Sequence, residues 1–171
     1  MRRGSTILTE GCENAERYLN GHPSSTNPPA YFSKIAHLIS KLYPRARKII
    51  EVGVGRSPYT LLQLRFLLHN AEIIATDIDP EAVRELSEIG VKSLVDDIFE
   101  PNERIYEGAD LIYSIRPPSE IIPRLAELGS RIGADILIIP LSEDAYFSNL
   151  SGWERIVENG LIVYLLRKSR R

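Results

Sequence analysis

The chain has 171 residues, and its 21 basic and 23 acidic side chains leave a net charge of −2, which excludes a protein that holds nucleic acid by bulk charge. Its single cysteine, Cys12, excludes a disulfide framework or a cysteine metal cluster and suits a reducing cytoplasm. No apolar run reaches the length of a membrane span and no signal-peptide core opens the chain, so the expectation is one cytoplasmic domain over 45–171 preceded by a helical arm over 1–44.

In chain order, residues 1–27 carry the weakest signals. Thr9 to Leu19 fits a short helix, and Gly21 to Asn27 reads as a loop. Asn27-Pro28 predicts a helix cap and first helical residue, and Ile35, Leu38, Ile39 and Leu42 form one helical stripe that Pro44 ends. Ile49, Ile50, Val52 and Val54 describe a central strand, apolar on both faces, running into a tight turn at Gly53 and Gly55. Ser57 as cap and Pro58 as first residue predict a helix to Leu68, with Leu61, Leu64 and Leu68 inward and Leu62 and Phe66 widening that face. Glu72–Asp77 is a second strand. Asp79-Pro80 opens a helix with Ala82, Val83, Leu86 and Ile89 on its buried face and Gly90 behind it. Val91–Val95 is a third strand ending in Asp96-Asp97, and Asp110–Ile115 a fourth ending in Arg116-Pro117-Pro118. A helix over Ser119–Ile132 closes at Gly133, and Asp135–Pro140 is a fifth strand. Glu154–Val157 and Leu161–Leu166 flank Asn159-Gly160, the signature of a two-residue hairpin.

Strands alternating with helices imply an α/β fold, a doubly wound and mostly parallel Rossmann-like sheet, with the C-terminal hairpin adding antiparallel strands at one edge. Ligands of such sheets bind outside the carboxyl ends of the strands. Gly53 and Gly55, Asp77, Asp96-Asp97 and Arg116-Pro117-Pro118 all gather there. The turn reads Glu51-x-Gly53-x-Gly55. The third glycine of a dinucleotide fingerprint would fall at position 58, which is Pro58. Glu51 beside the turn would repel a pyrophosphate, but it would attract the ammonium of S-adenosylmethionine. The methyl donor is therefore favoured over NAD, and an NAD-dependent oxidoreductase is the weaker alternative.

Over roughly residues 45–166 the chain resembles a minimal class I S-adenosylmethionine-dependent methyltransferase. Glu51-Val52-Gly53-Val54-Gly55, Asp77 at a strand end, Val95-Asp96-Asp97-Ile98 and Asp110-Leu111-Ile112-Tyr113-Ser114 carry the likeness. Within that superfamily Thr76-Asp77-Ile78, Asp96-Asp97-Ile98 and Leu111 to Pro118 most resemble a small uncharacterised archaeal protein family with a methyltransferase-like fold. The resemblance implies fold and cofactor class, not a reaction.

It also implies roles. Asp77, with Ile78 beside it, matches the acid that binds both ribose hydroxyls; the plainer alternative, a helix cap, is already filled by Asp79. Asp97, or less favourably Asp96, matches the acid that accepts the adenine amino group, with the Ile98 N–H on a ring nitrogen; a turn-forming acid pair is the alternative. Glu51 would hold the methionine amino group, or pair with a lysine or arginine. Gly53, Val54 and Gly55 form the turn. Arg116-Pro117-Pro118 stands where amine-methylating relatives carry Asn-Pro-Pro-Tyr. The missing asparagine argues against methylation of a nucleobase or glutamine amine. Arg116 could instead orient an anionic substrate or the donor's carboxylate, as could Arg56, or either could pair with a surface acid such as Glu120. No general base is named, and methyl transfer needs chiefly positioning. His22, His37 and His69 lack metal-ligand spacing. The basic run Arg167 to Arg171 and Arg2-Arg3 could attract RNA phosphates, though no aromatic strip supports that. The acceptor is left open between RNA and an anionic small molecule, with a non-catalytic cofactor sensor or a module that binds RNA or protein as the competing reading.

Overall fold

A computed structural model describes residues 30–140 and 150–168. The short helix of Thr9 to Leu19, the loop and cap before Ala30, Cys12, His22, Arg2-Arg3 and Ser169 to Arg171 lie outside the described residues.

The elements are α1 (Ala30–Leu42), β1 (Lys48–Val52), α2 (Tyr59–Leu67), β2 (Glu72–Asp77), α3 (Pro80–Glu88), β3 (Ser93–Val95), α4 (Glu103–Tyr106), β4 (Leu111–Ile115), a 3₁₀ turn (Ser119–Ile121) running into α5 (Ile122–Ile132), β5 (Asp135–Ile139), β6 (Glu154–Glu158) and β7 (Leu161–Leu166). The seven strands form one sheet in the order β3-β2-β1-β4-β5-β7-β6. β1 to β5 are parallel; β7 runs antiparallel to β5, and β6 to β7. The direction of strand addition reverses between β1 and β4, so a ligand crevice belongs at their C-terminal ends.

Alternation along the buried strands splits the core in two. Ile49, Ile73, Ala75, Leu111, Tyr113 and Leu137 face α1, α2 and α3 through Ile35, Ile39, Leu61, Leu64 and Leu86. Ile50, Val52, Ile74, Ile112, Ile136 and Ile138 face α4 and α5 through Tyr106, Ile122, Leu125 and Leu128. The sheet is thus covered on both faces, as its near-continuous apolar strands require. No helix among the described residues is long and apolar enough to cross a membrane.

Several local expectations change. Pro58 takes the cap position of α2 and no side chain caps that helix, so Ser57 does not act as its N-cap. Phe66 is 79% exposed and widens no core face. β3 starts at Ser93 rather than Val91, and α4 is an element the sequence did not announce. Asp79 does cap α3, accepting the Glu81 N–H at 2.9 Å. The hairpin turns through Asn159 and Gly160 at φ 52° and 76°, the geometry a two-residue turn demands.

Candidate functional site

The rim at the C-terminal ends of β1 to β4 is built from the glycine turn outward. Gly53 and Gly55 have φ of 72° and 56°, where a side chain would be strained. The turn is clamped to β2, because the N–H groups of Gly53 and Val54 both reach the Thr76 carbonyl, at 2.9 and 3.4 Å. A β-carbon on Gly55 would meet nothing within 4 Å, so this glycine faces open space rather than packed protein. Val54 turns inward and joins the core.

Asp77 closes β2 and reaches back to the turn. Its Oδ2 accepts the Gly55 N–H at 2.7 Å and its Oδ1 the Asp79 N–H at 2.9 Å. Each carboxylate oxygen has a second lone pair, so both can still accept from a ligand hydroxyl. Ile78, next in the chain, is 64% exposed and offers an apolar surface on the same rim.

The two acids after β3 separate cleanly. Asp96 is turned into the protein: its oxygens accept the Asn102 N–H at 2.9 Å and the Tyr106 hydroxyl at 2.7 Å. Tyr106 in turn lies 3.3 Å from the Thr76 hydroxyl, so Asp96 ties α4 to β2. Burial raises the Tyr106 hydroxyl pKa, the Thr76 bond lowers it and the Asp96 bond raises it, which keeps the hydroxyl protonated as donor. Asp97 spends only Oδ1, on the Phe99 N–H at 2.9 Å; among the described residues Oδ2 meets no donor. The Ile98 N–H likewise finds no acceptor there, while the Ile98 side chain is buried.

Glu51 forms the floor. It is 2% exposed, and its Oε2 accepts the Tyr113 hydroxyl at 2.6 Å from the residue directly across on β4. Burial pushes its pKa up to about 8; the Tyr113 bond pulls the other way and loses. No lysine or arginine pairs with it among the described residues. A buried acid with a raised pKa and no protein counter-charge, on the strand that leads into the glycine turn, is a candidate functional group.

At the end of β4, Arg116 has φ of 55°, a region that costs a non-glycine residue about 1–2 kcal/mol. Its N–H bonds the Ile139 carbonyl at 2.7 Å, and its guanidinium lies 5.1 Å from the centre of the Tyr31 ring. Tyr31 itself, at the start of α1, donates to the Pro140 carbonyl at 3.3 Å. Pro117 is buried and Pro118 exposed, leading into the 3₁₀ turn. Arg56 takes the plainer of its readings, pairing with Glu81 at 3.5 Å and Glu85 at 3.8 Å. Glu120 accepts from Ser119 and leaves Arg116 alone.

Glu51, the turn, Asp77, Asp97 and Arg116 therefore share one rim, with Asp96 directed away from it. Tyr113 and Tyr31 are the partners that reading the chain missed. Tyr113 was in plain view inside the Leu111 to Pro118 run, but its role depends on the register of β4 against β1. Among the described residues no group of His, Cys, Asp and Glu could hold a metal, and Arg167 pairs with Glu154 at 3.2 Å rather than standing free.

Comparison with known proteins gives a family and a fold. A protein of Archaeoglobus fulgidus described as UPF0146 protein is 35% identical over 138 residues, covering 81% of this chain and 96% of its own. Among solved structures, TrmN from Thermus thermophilus superposes with a TM-score of 0.61 at 14% identity, over 97% of this chain and 55% of that one. An RNA methyltransferase from Salinibacter ruber, in complex with S-adenosyl-L-homocysteine, gives 0.56 at 14% identity over 81% and 94%. These likenesses show a class I methyltransferase fold. The profile of the uncharacterised protein family UPF0146 matches residues 32–168, and the chain belongs to that family.

Proposed function

We infer that the rim binds S-adenosylmethionine and that the protein transfers its methyl group to an acceptor. The observation that carries this is the placement of Glu51, Asp77 and Asp97 at or just past the ends of three neighbouring strands, around a glycine turn that opens onto space. The residues fit the group part by part. The spare lone pairs of Asp77 suit two ribose hydroxyls. Oδ2 of Asp97 and the N–H of Ile98 suit the amino group and a ring nitrogen of adenine, and Ile78 supplies an apolar face for the ring. Glu51 suits the ammonium. Bound there, the donor would supply an activated methyl carbon for in-line attack by a lone pair of the acceptor, the carbon–sulfur electron pair would stay on sulfur, and the acceptor's proton would pass to solvent as the product leaves. The protein's own work is to hold the reactants in line and exclude water. The Salinibacter ruber neighbour, bound to the demethylated donor, supports the reading.

The test is calorimetry of the full chain with S-adenosylmethionine, S-adenosylhomocysteine and NAD. The two sulfur ligands are expected to bind and NAD not to. Asp77→Ala should weaken the donor by about 100-fold or more, since each lost hydrogen bond to a carboxylate is worth ~1.5–3 kcal/mol. Unchanged affinity in a variant that still melts cooperatively refutes the ribose assignment. Labelled donor incubated with RNA, protein and metabolite extracts then separates an enzyme from a sensor: transfer to none of them favours the sensor.

A further inference from the structure

Two non-glycine residues among those described have positive φ. Asn159 needs no explanation, because a hairpin turn demands that geometry and asparagine tolerates it. Arg116 has neither excuse. Arginine carries no short side chain to bond its own backbone there, and a residue preceding proline favours extended backbone. Such a conformation persists only where the surroundings impose it, here through the 2.7 Å bond from the Arg116 N–H to Ile139. The result is a fixed direction for the side chain, and the Tyr31 ring holds the guanidinium at 5.1 Å. The group is exposed, and among the described residues no carboxylate meets it. The other arginine of the rim, Arg56, is neutralised by two glutamates.

Its position matters as much as its charge. Arg116 lies three residues beyond Tyr113, the partner of Glu51 across the β1–β4 pair. At ~3.3 Å per residue that puts it roughly 10 Å farther along the strand than the floor of the site. The donor's amino-acid portion would lie between the two. Beside Arg116 the aromatic rings continue. Tyr31 meets Phe32 edge-on at 5.5 Å, Phe32 meets Tyr59 at 5.5 Å, and the Thr60 hydroxyl reaches the Phe32 carbonyl at 3.3 Å, tying α1 to the helix that follows the glycine turn.

Resting on the donor reading above, we propose that Arg116 is the anchor for a negatively charged acceptor, a phosphate or carboxylate group gripped by the guanidinium fork while Tyr31 keeps the fork aimed. A planar guanidinium offers pairs of N–H groups to either anion, and although Tyr31 engages part of this one, through its ring and its hydroxyl, the side chain remains exposed. The charge arrangement agrees: a cation-receiving acid at the bottom of the rim and an anion-receiving arginine at its mouth.

The test uses the full chain and four probes, each titrated by calorimetry with and without saturating S-adenosylhomocysteine: a nucleoside 5′-monophosphate and its uncharged nucleoside, then benzoate and benzamide. At least one anion is expected to bind tenfold or more tightly than its neutral counterpart, and which of the two does so identifies phosphate or carboxylate as the source. Arg116→Gly should abolish that preference while melting no lower than the parent, since glycine relieves the left-handed backbone, and its affinity for S-adenosylhomocysteine should be unchanged. Equal binding of charged and neutral probes, or no binding by either anion, overturns the proposal. So does loss of S-adenosylhomocysteine affinity in Arg116→Gly, which would give the arginine to the donor's own carboxylate. A variant that melts lower yet keeps the anion preference shows a structural arginine and overturns it too. The titrations without S-adenosylhomocysteine read Arg116 directly. A failure of donor binding alone therefore leaves the anion preference intact and strikes only the donor reading.

Discussion

At the scale of single residues, Glu51 is the most consequential side chain because its chemistry and its stability pull apart. With a pKa near 8 instead of the ordinary 4.5, it is protonated in the empty folded protein at neutral pH. The folded chain then holds a proton that the unfolded chain has lost, so stability from this group is full below about pH 4.5 and declines as pH rises through about 8. Above that the buried charge costs on the order of a few kcal/mol. A cationic ligand binds the ionised form, so donor binding at pH 7 should expel about one proton from Glu51, and affinity should rise between about pH 6 and 7.5. Above about pH 8 the ligand's own amino group loses its proton and the gain ends. Calorimetry in buffers of differing ionisation enthalpy measures that proton. Glu51→Gln should release none, bind the donor at least about tenfold more weakly for the loss of a charged partner, and melt at a higher temperature than the parent at pH 9. Proton release that persists in Glu51→Gln assigns the titration to another group. The sequence showed the carboxylate and its place beside the turn. It could not show the raised pKa, which comes from burial of the carboxylate once the chain is folded, against the opposing pull of the Tyr113 bond.

At the scale of elements, legibility follows length and local chemistry. Strands β1, β2, β4 and β5 were readable because each is a run rich in apolar residues ended by a glycine, a charged residue or, for β5, Pro140. The hairpin was readable because Asn159-Gly160 satisfies its turn by backbone preference alone. Helix α4 was not, since four residues give no periodicity, and it is held by the Asp96–Tyr106 contact between residues ten apart. Phe66 misled because its spacing fitted the buried stripe while α2 turns that position outward. Gly129 shows a third case, a helical glycine with no local signal. A β-carbon there would fall 2.5 Å from two atoms of the buried Ile136 side chain, so α5 lies against β5 at a distance only glycine permits. Alanine would gain up to about 1 kcal/mol of helix propensity but overpack a filled core at ~1–3 kcal/mol. Gly129→Ala is therefore expected to lower stability by about 1–2 kcal/mol in a denaturant titration, with Gly129→Ala/Ile136→Val recovering part of it. A stabilised single variant would mean that Ile136 has room to move.

At the scale of the whole molecule, the sheet order decides what the rim can be. β1 and β4 are separated in sequence by two βα units yet adjacent in the sheet, and the reversal of direction between them leaves the crevice that the strand ends surround. The site's parts come from turns at Gly53 to Arg56, Ile78 and Ile98, which share no contiguous stretch of chain and meet only when β3, β2 and β1 lie side by side. Donor binding should therefore slow amide hydrogen exchange in all three segments at once. The amides of Gly55 and Ile98 are the sharpest reporters: the first already donates to Asp77, and the second has no acceptor among the described residues until a ligand supplies one. The β6–β7 hairpin lies at the far edge of the sheet, beyond β5, and its exchange should change only by the amount that global stabilisation imposes. Asp77→Ala should cancel the protection in all three segments together, because they report one ligand. Protection limited to the glycine turn would leave Asp97 and Ile98 outside the site and reduce the rim to an anion-binding turn. Protection centred on the hairpin would move the ligand to a different face of the sheet altogether.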